Sequence, residues 1–167
     1  MKLREEILFE HSKAQCEKIV KWIGASQNRF DELFALFLKD EYRISQRAAW
    51  PLGYCSISHP KFIKNKIGIL LSNLSNPRIH GSVKRNTMRI LEKIEVPQKY
   101  HGLIINICCQ YITDPKEAVA VKAYSLTVLH KYSLLYPELL NEAKLLVQDF
   151  GIDKPSFKVR AAKLKSE

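Results

Sequence analysis

The chain of 167 residues contains no acidic side chain between Glu41 and Glu92, although Asp and Glu together number 17. It has no uninterrupted apolar run of the roughly 18 residues that a membrane helix needs, which excludes a spanning segment. Cysteine is scarce: Cys16, Cys55, Cys108 and Cys109 show neither a CxxC pair nor a disulfide framework. Reduced thiols and a cytoplasmic location are therefore expected. Glu5 and Glu6 fall where a secretory leader would carry no acids, which points the same way. Also missing are a glycine-rich phosphate loop, HExxH, GxSxG and any Cys/His metal spacing. No catalytic constellation, metal or cofactor is expected. Strand-like alternation is absent too, so the fold class is all-α.

What is present is positive charge and a repeat. Lys and Arg number 27, giving a net charge of +10. Residues 1–40 are neutral, whereas residues 41–80 carry +5. The acid-free interval holds Arg43, Arg47, Lys61, Lys64, Lys66, Arg78, Lys84, Arg85 and Arg89. Such a block is either a solvated face or an electrostatic footprint for an anionic partner.

An offset of 38 residues relates Ser45-Gln46, Val83-Lys84, Val121-Lys122 and Val159-Arg160. At the same offset Asn76-Pro77 matches Asp114-Pro115, and Leu91 matches Leu129. Ala49, Thr87 and Ser125 form a column of small residues, beside Trp50, Met88 and Leu126 as large apolar ones. Two further columns are Leu33, Leu71, Cys109, Val147 and Leu36, Leu74, Ile112, Phe150. Each unit reads as two amphipathic helices, which bury their apolar stripes only by stacking on neighbouring pairs. Asp114-Pro115-Lys116-Glu117 predicts a helix start with a capping box, and Gly151 a helix stop.

Period and columns resemble HEAT-like repeats of the armadillo-type class. The resemblance implies a right-handed α-α superhelix, or solenoid. The predicted layout is a capping segment over 1–27, repeats over 28–60, 61–97 and 98–136, and a truncated repeat over 137–167. It further implies that the second helix of each pair lines a concave side. At about 100° per residue, the outward positions there are Arg47, Pro51 and Tyr54, then Arg85 and Arg89, then Ala123, Thr127 and His130, and finally Ala161 and Lys165. Arg47, Tyr54, Lys84, Arg85 and Arg89 are the candidate binding residues, because guanidinium groups grip carboxylates and phosphates bidentately. Pro51 should kink its helix near Arg47. Trp50 and Cys108-Cys109 are expected in the core, and His59 and His80 at exposed turns.

Some HEAT-like proteins excise alkylated DNA bases with concave tryptophans and an aspartate. Here neither Trp22 nor Trp50 has an aspartate on its helix face, so that pattern is missing. The expected function is a non-catalytic binding or scaffold module whose partner is an acidic protein segment. The alternative is a nucleic-acid backbone, in a role related to DNA repair.

Overall fold

The computed structural model describes residues 1–38, 41–150 and 153–166, with the Lys165 side chain excepted. The predicted stop at Gly151 and the outward placement of Lys165 therefore lie outside the described residues. Everything described is helix or connecting turn, and no strand occurs among the described residues. The chain divides into two compact units, Met1–Glu95 and Val96–Glu167.

The first unit begins with α1 (Leu3–Phe9) and α2 (Lys13–Ile23). Ser12 starts α2 by accepting a hydrogen bond from the Gln15 backbone N–H at 3.1 Å, the usual satisfaction of a free helix-end donor. Gly24 ends it at φ +49°, a conformation that costs glycine little. Then follow α3 (Gln27–Leu38), α4 (Tyr42–Ser58), the short α5 (Pro60–Lys64), α6 (Ile67–Asn73) and α7 (Gly81–Lys93). Phe30, Phe34, Phe37 and Leu33 of α3 are buried and pack on α4, which in turn packs on α7. Each such fully buried side chain contributes about 1.5–3 kcal/mol.

The second unit opens with a 3-10 turn at Gln98–Tyr100. It continues as α8 (His101–Thr113), α9 (Val119–Ser133), α10 (Leu139–Phe150) and α11 (Pro155–Lys165). Here α9 is the centre, packed on α8, α10 and α11.

The offset of 38 holds physically through the middle of the chain. Helices α7 and α9 begin at Gly81 and Val119. The turns before them are built alike: Asn76 Oδ1 accepts from the Arg78 N–H at 3.0 Å, and Asp114 Oδ1 from the Lys116 N–H at 2.8 Å. These bonds correct the capping-box expectation. The Asp114 side chain closes a turn, Glu117 Oε1 accepts from the Ala118 N–H, and the helix starts only at Val119. The two carboxylates are spent five and two residues before the first helical residue, Val119.

The last pair departs from the period. Val159, placed by the sequence with Val83 and Val121, is 61% exposed, while those two are buried. The buried residues of α11 are Phe157, Ala161 and Leu164, which match Val121, Ser125 and Val128 of α9 at an offset of 36. Phe150 is likewise exposed, unlike its column mates Leu36, Leu74 and Ile112. Ala49, Thr87 and Ser125 are all fully buried, and the hydroxyls of Thr87 and Ser125 have no hydrogen-bond partner among the described residues.

Candidate functional site

All five candidate residues sit in the first unit, on α4 and α7. The two helices run in the same direction. Tyr42, which opens α4, meets the ring of His80, which precedes α7, with centroids 4.6 Å apart. Farther along, Tyr54 of α4 lies beneath Arg89 of α7, with the guanidinium carbon 4.9 Å from the ring centroid. Between these points Gly53 faces Asn86: a Cβ there would make ordinary van der Waals contact, 3.9 Å from Asn86 Oδ1. Asn86 is buried, and its amide donates to the Ser82 carbonyl at 2.8 Å. The α4–α7 seam thus runs past Gly53 and Asn86 to Arg89, whose guanidinium lies over an aromatic face. A cation over a tyrosine ring is held by the ring quadrupole.

Arg85 lies one turn before Arg89 and is exposed. Residues four apart share a helix face. Neither arginine is in an ion pair among the described residues. Lys84, by contrast, is half-buried and already engaged within the fold.

Arg47 is placed differently from the sequence reading. Its Nη1 donates to the Leu8 carbonyl at 2.7 Å and reaches the Ile7 carbonyl at 3.4 Å. Gln15 Nε2 donates to the Glu6 carbonyl at 2.7 Å. These are the last-turn carbonyls of α1, which lacks a left-handed cap because Glu10 follows in extended backbone. Unsatisfied carbonyls carry the negative end of the helix dipole, and Arg47 and Gln15 cap them from α4 and α2. Gln15 Nε2 also donates to Glu6 Oε2, and the Lys18 ammonium lies 2.7 Å from the same oxygen. Lys18 and then Gln15 hold the Glu6 carboxyl below its ordinary value of 4.5. The Arg47 guanidinium is therefore a tie between α4 and α1.

Other outward expectations are also revised. Pro51, Ala123 and Ala161 are buried, because the side chains at these columns pack against neighbouring helices rather than follow the arginine register. α4 continues unbroken through Pro51 to Ser58. His59 and His80 are half-buried rather than exposed: His80 Nδ1 accepts from the Ser82 N–H at 3.2 Å and caps α7, and His59 leans on Phe62 at 4.9 Å.

Trp50, expected in the core, is only half-buried, while its column mates Met88 and Leu126 are fully covered. On its side the neighbour is α2, which does not follow the period, and the edge of the exposed His11 ring meets the indole at 5.9 Å. Trp50 and Tyr54, four residues apart, make one aromatic line on α4. His11 was missed as a surface residue, since nothing in its local sequence ties it to a helix 39 residues away.

Burial disfavours the thiolate form of all four cysteines. Burial pushes Cys16 up to about 11 and Cys55 up to about 12, and it raises Cys108 and Cys109 as well. Cys108 is fully buried, but Cys109 is partly open, unlike its expectation. A cleft of about 240 Å³ opens beside Tyr42, Asn73, Asn76 and His80; Ser45 and Arg78 on its wall are already engaged. No group of three or more metal-ligating side chains converges among the described residues. No described helix is long and apolar enough to cross a membrane.

A family model described as a HEAT repeat domain matches residues 3–165. No curated protein and no solved structure matches the chain.

Proposed function

Because the chain belongs to the HEAT repeat family, whose repeats generally mediate protein interactions, we propose that it is a non-catalytic binding module. It grips an acidic protein segment on the α4–α7 face, and it acts in the cytoplasm, where four free thiols stay reduced. The observation that carries this reading is the pair Arg85 and Arg89. They stand one turn apart, in no ion pair among the described residues, with Arg89 pre-positioned on Tyr54. A guanidinium so held keeps its fork free for a carboxylate. The acid-free stretch from Glu41 to Glu92 leaves few local competitors for it.

An acidic protein segment is favoured over a nucleic-acid backbone by the narrowness of the cationic set. Arg47 is committed to α1 and Lys84 is engaged, so two arginines remain of the five candidates with the side of Tyr54 between them. Two or three carboxylates match this, whereas backbone tracking calls for a longer array of phosphate contacts.

The test is a fluorescence-anisotropy salt titration with a labelled glutamate decapeptide and with duplex DNA. Wild type should bind the peptide with an affinity that falls as salt rises, because exposed charges are screened over about 8–10 Å. The Arg85→Ala/Arg89→Ala double variant should lose about tenfold or more. Equally weak binding of both ligands by both proteins would reduce the basic face to solvation. A DNA slope near −0.9 per phosphate contact, abolished in the double variant, would move the function to nucleic acid.

A further inference from the structure

The arginine pair is one row of a wider strip. On α4, Tyr54 and Trp50 stand four residues apart and share a face. The His11 ring meets the Trp50 indole edge-on at 5.9 Å. Cys16 and Trp50 line the same shallow indentation, and Cys16 is close enough to Arg89 for its thiol to feel that charge. His11, Trp50 and Tyr54 therefore form one row and, because α4 and α7 run in the same direction, Arg85 and Arg89 form a second row beside it, all within the first unit. The first row is aromatic and half-open to solvent. The second is cationic. Phe9, two residues before His11, is 79% exposed, the most open large apolar side chain among the described residues.

An aromatic surface of this kind, set beside a guanidinium pair, recognises more than charge. Carboxylates satisfy Arg85 and Arg89, but they leave the Trp50–His11 half wet. An apolar side chain laid against the indole would remove that surface from water, which favours binding in proportion to the apolar area covered. We infer that the partner segment is acidic and carries one large apolar residue, seated against Trp50 and His11 while its acids meet Arg85 and Arg89. This deepens the acidic-partner reading and rests on it. Helices α4 and α7 lie side by side, with Arg89 4.9 Å from the Tyr54 ring centroid, and neighbouring helix axes are about 8–10 Å apart. The aromatic and cationic rows are thus on the order of 10 Å apart, which an extended segment spans in about three residues. Charge complementarity selects this occupant: Arg85 and Arg89 form one row only, so an all-acidic segment leaves the aromatic row unmatched.

The probe is a random dodecapeptide display library selected on the full-length protein, on Trp50→Ala and, since Trp50 is half-buried, on His11→Ala as a second, exposed substitution. Circular dichroism confirms that each variant remains helical. Wild type should enrich peptides with two or more acids and a Trp, Phe or Leu about three residues away. Re-synthesised peptides with that apolar residue changed to Ser should bind about tenfold more weakly. In Trp50→Ala that ratio should fall to about one while the acid preference stays, and in His11→Ala it should shrink. Enrichment of acids with no apolar preference, or a ratio unchanged in both variants, overturns this inference and leaves the acidic-partner reading standing. No enrichment of acids at all sinks both. A single-stranded DNA dodecamer that outcompetes the selected peptides and depends on Trp50 would assign the strip to base stacking, and the peptide inference would be lost.

Discussion

Replacing Arg47 with alanine should destabilise the N-terminal end of the first unit without touching Arg85 and Arg89. The side chain is half-buried, and its Nη1 donates to the Leu8 carbonyl at 2.7 Å. Hydrogen bonds from charged donors contribute about 1.5–3 kcal/mol, and a cation at a helix C-terminus about 0.3–1 kcal/mol. Leu8 is only half-buried, so water can reach its carbonyl in the variant and recover part of that loss. The net expectation is about 1–2 kcal/mol. Because α1 is a seven-residue helix, too short to persist alone, the loss should appear as local opening. Native-state hydrogen exchange should show α1 amides exchanging about 5–30 times faster, with α3 and α7 amides little changed. Arg47→Lys keeps the charge but not the planar fork and should fall between. Arg85→Ala, an exposed substitution, should stay within about 0.5 kcal/mol. An Arg47→Ala variant with wild-type α1 protection and an unchanged denaturation midpoint would refute the capping role.

The shifted register of α11 gives a second test. Phe157→Ala should cost about 3–5 kcal/mol and Val159→Ala less than about 0.5 kcal/mol in urea denaturation; the reverse order would restore the 38-residue register. A third concerns pH. Lys18 and Gln15 hold the Glu6 carboxyl below 4.5, so its folded state is the more acidic one. The stabilisation is complete above 4.5 and is lost as pH falls through the lowered value. On descending to pH 3, wild-type α1 should lose exchange protection, and Glu6→Gln should lose less. An identical pH response in the two proteins would show that the Glu6 cluster does not couple to folding.

The parts of this architecture legible in the sequence are those set by local pattern. Val83 and Val121 declare core positions through spacing alone, and the paired turns at Asn76 and Asp114 repeat because an Asx side chain folds back on its own backbone. What escaped depends on residues distant in the chain. Arg47 looks outward on a helical wheel, and only the missing cap on α1, some 39 residues away, turns it into a structural tie. Trp50 shares a column with Met88 and Leu126 but faces α2 and His11, elements the period does not govern. Val159-Arg160 matches by letter, yet burial in α11 follows Phe157 and Leu164. Of the candidate site, Tyr54 and Arg89 were each readable, but their stacking was not, because it depends on how α4 packs against α7.

The column of Ala49, Thr87 and Ser125 places an evolutionary constraint on size and leaves polarity nearly free. All three are fully buried, and two of them carry hydroxyls without a hydrogen-bond partner among the described residues. Exchange of such a hydroxyl for hydrogen or methyl costs little and can even stabilise, since no hydrogen bond is lost, whereas an added ring or branch would force the packed helices apart. Drift at this position can therefore change residue identity at every step while the spacing between helices stays fixed. The trait inherited there is a volume, and it is preserved even where the letters that encode it are not.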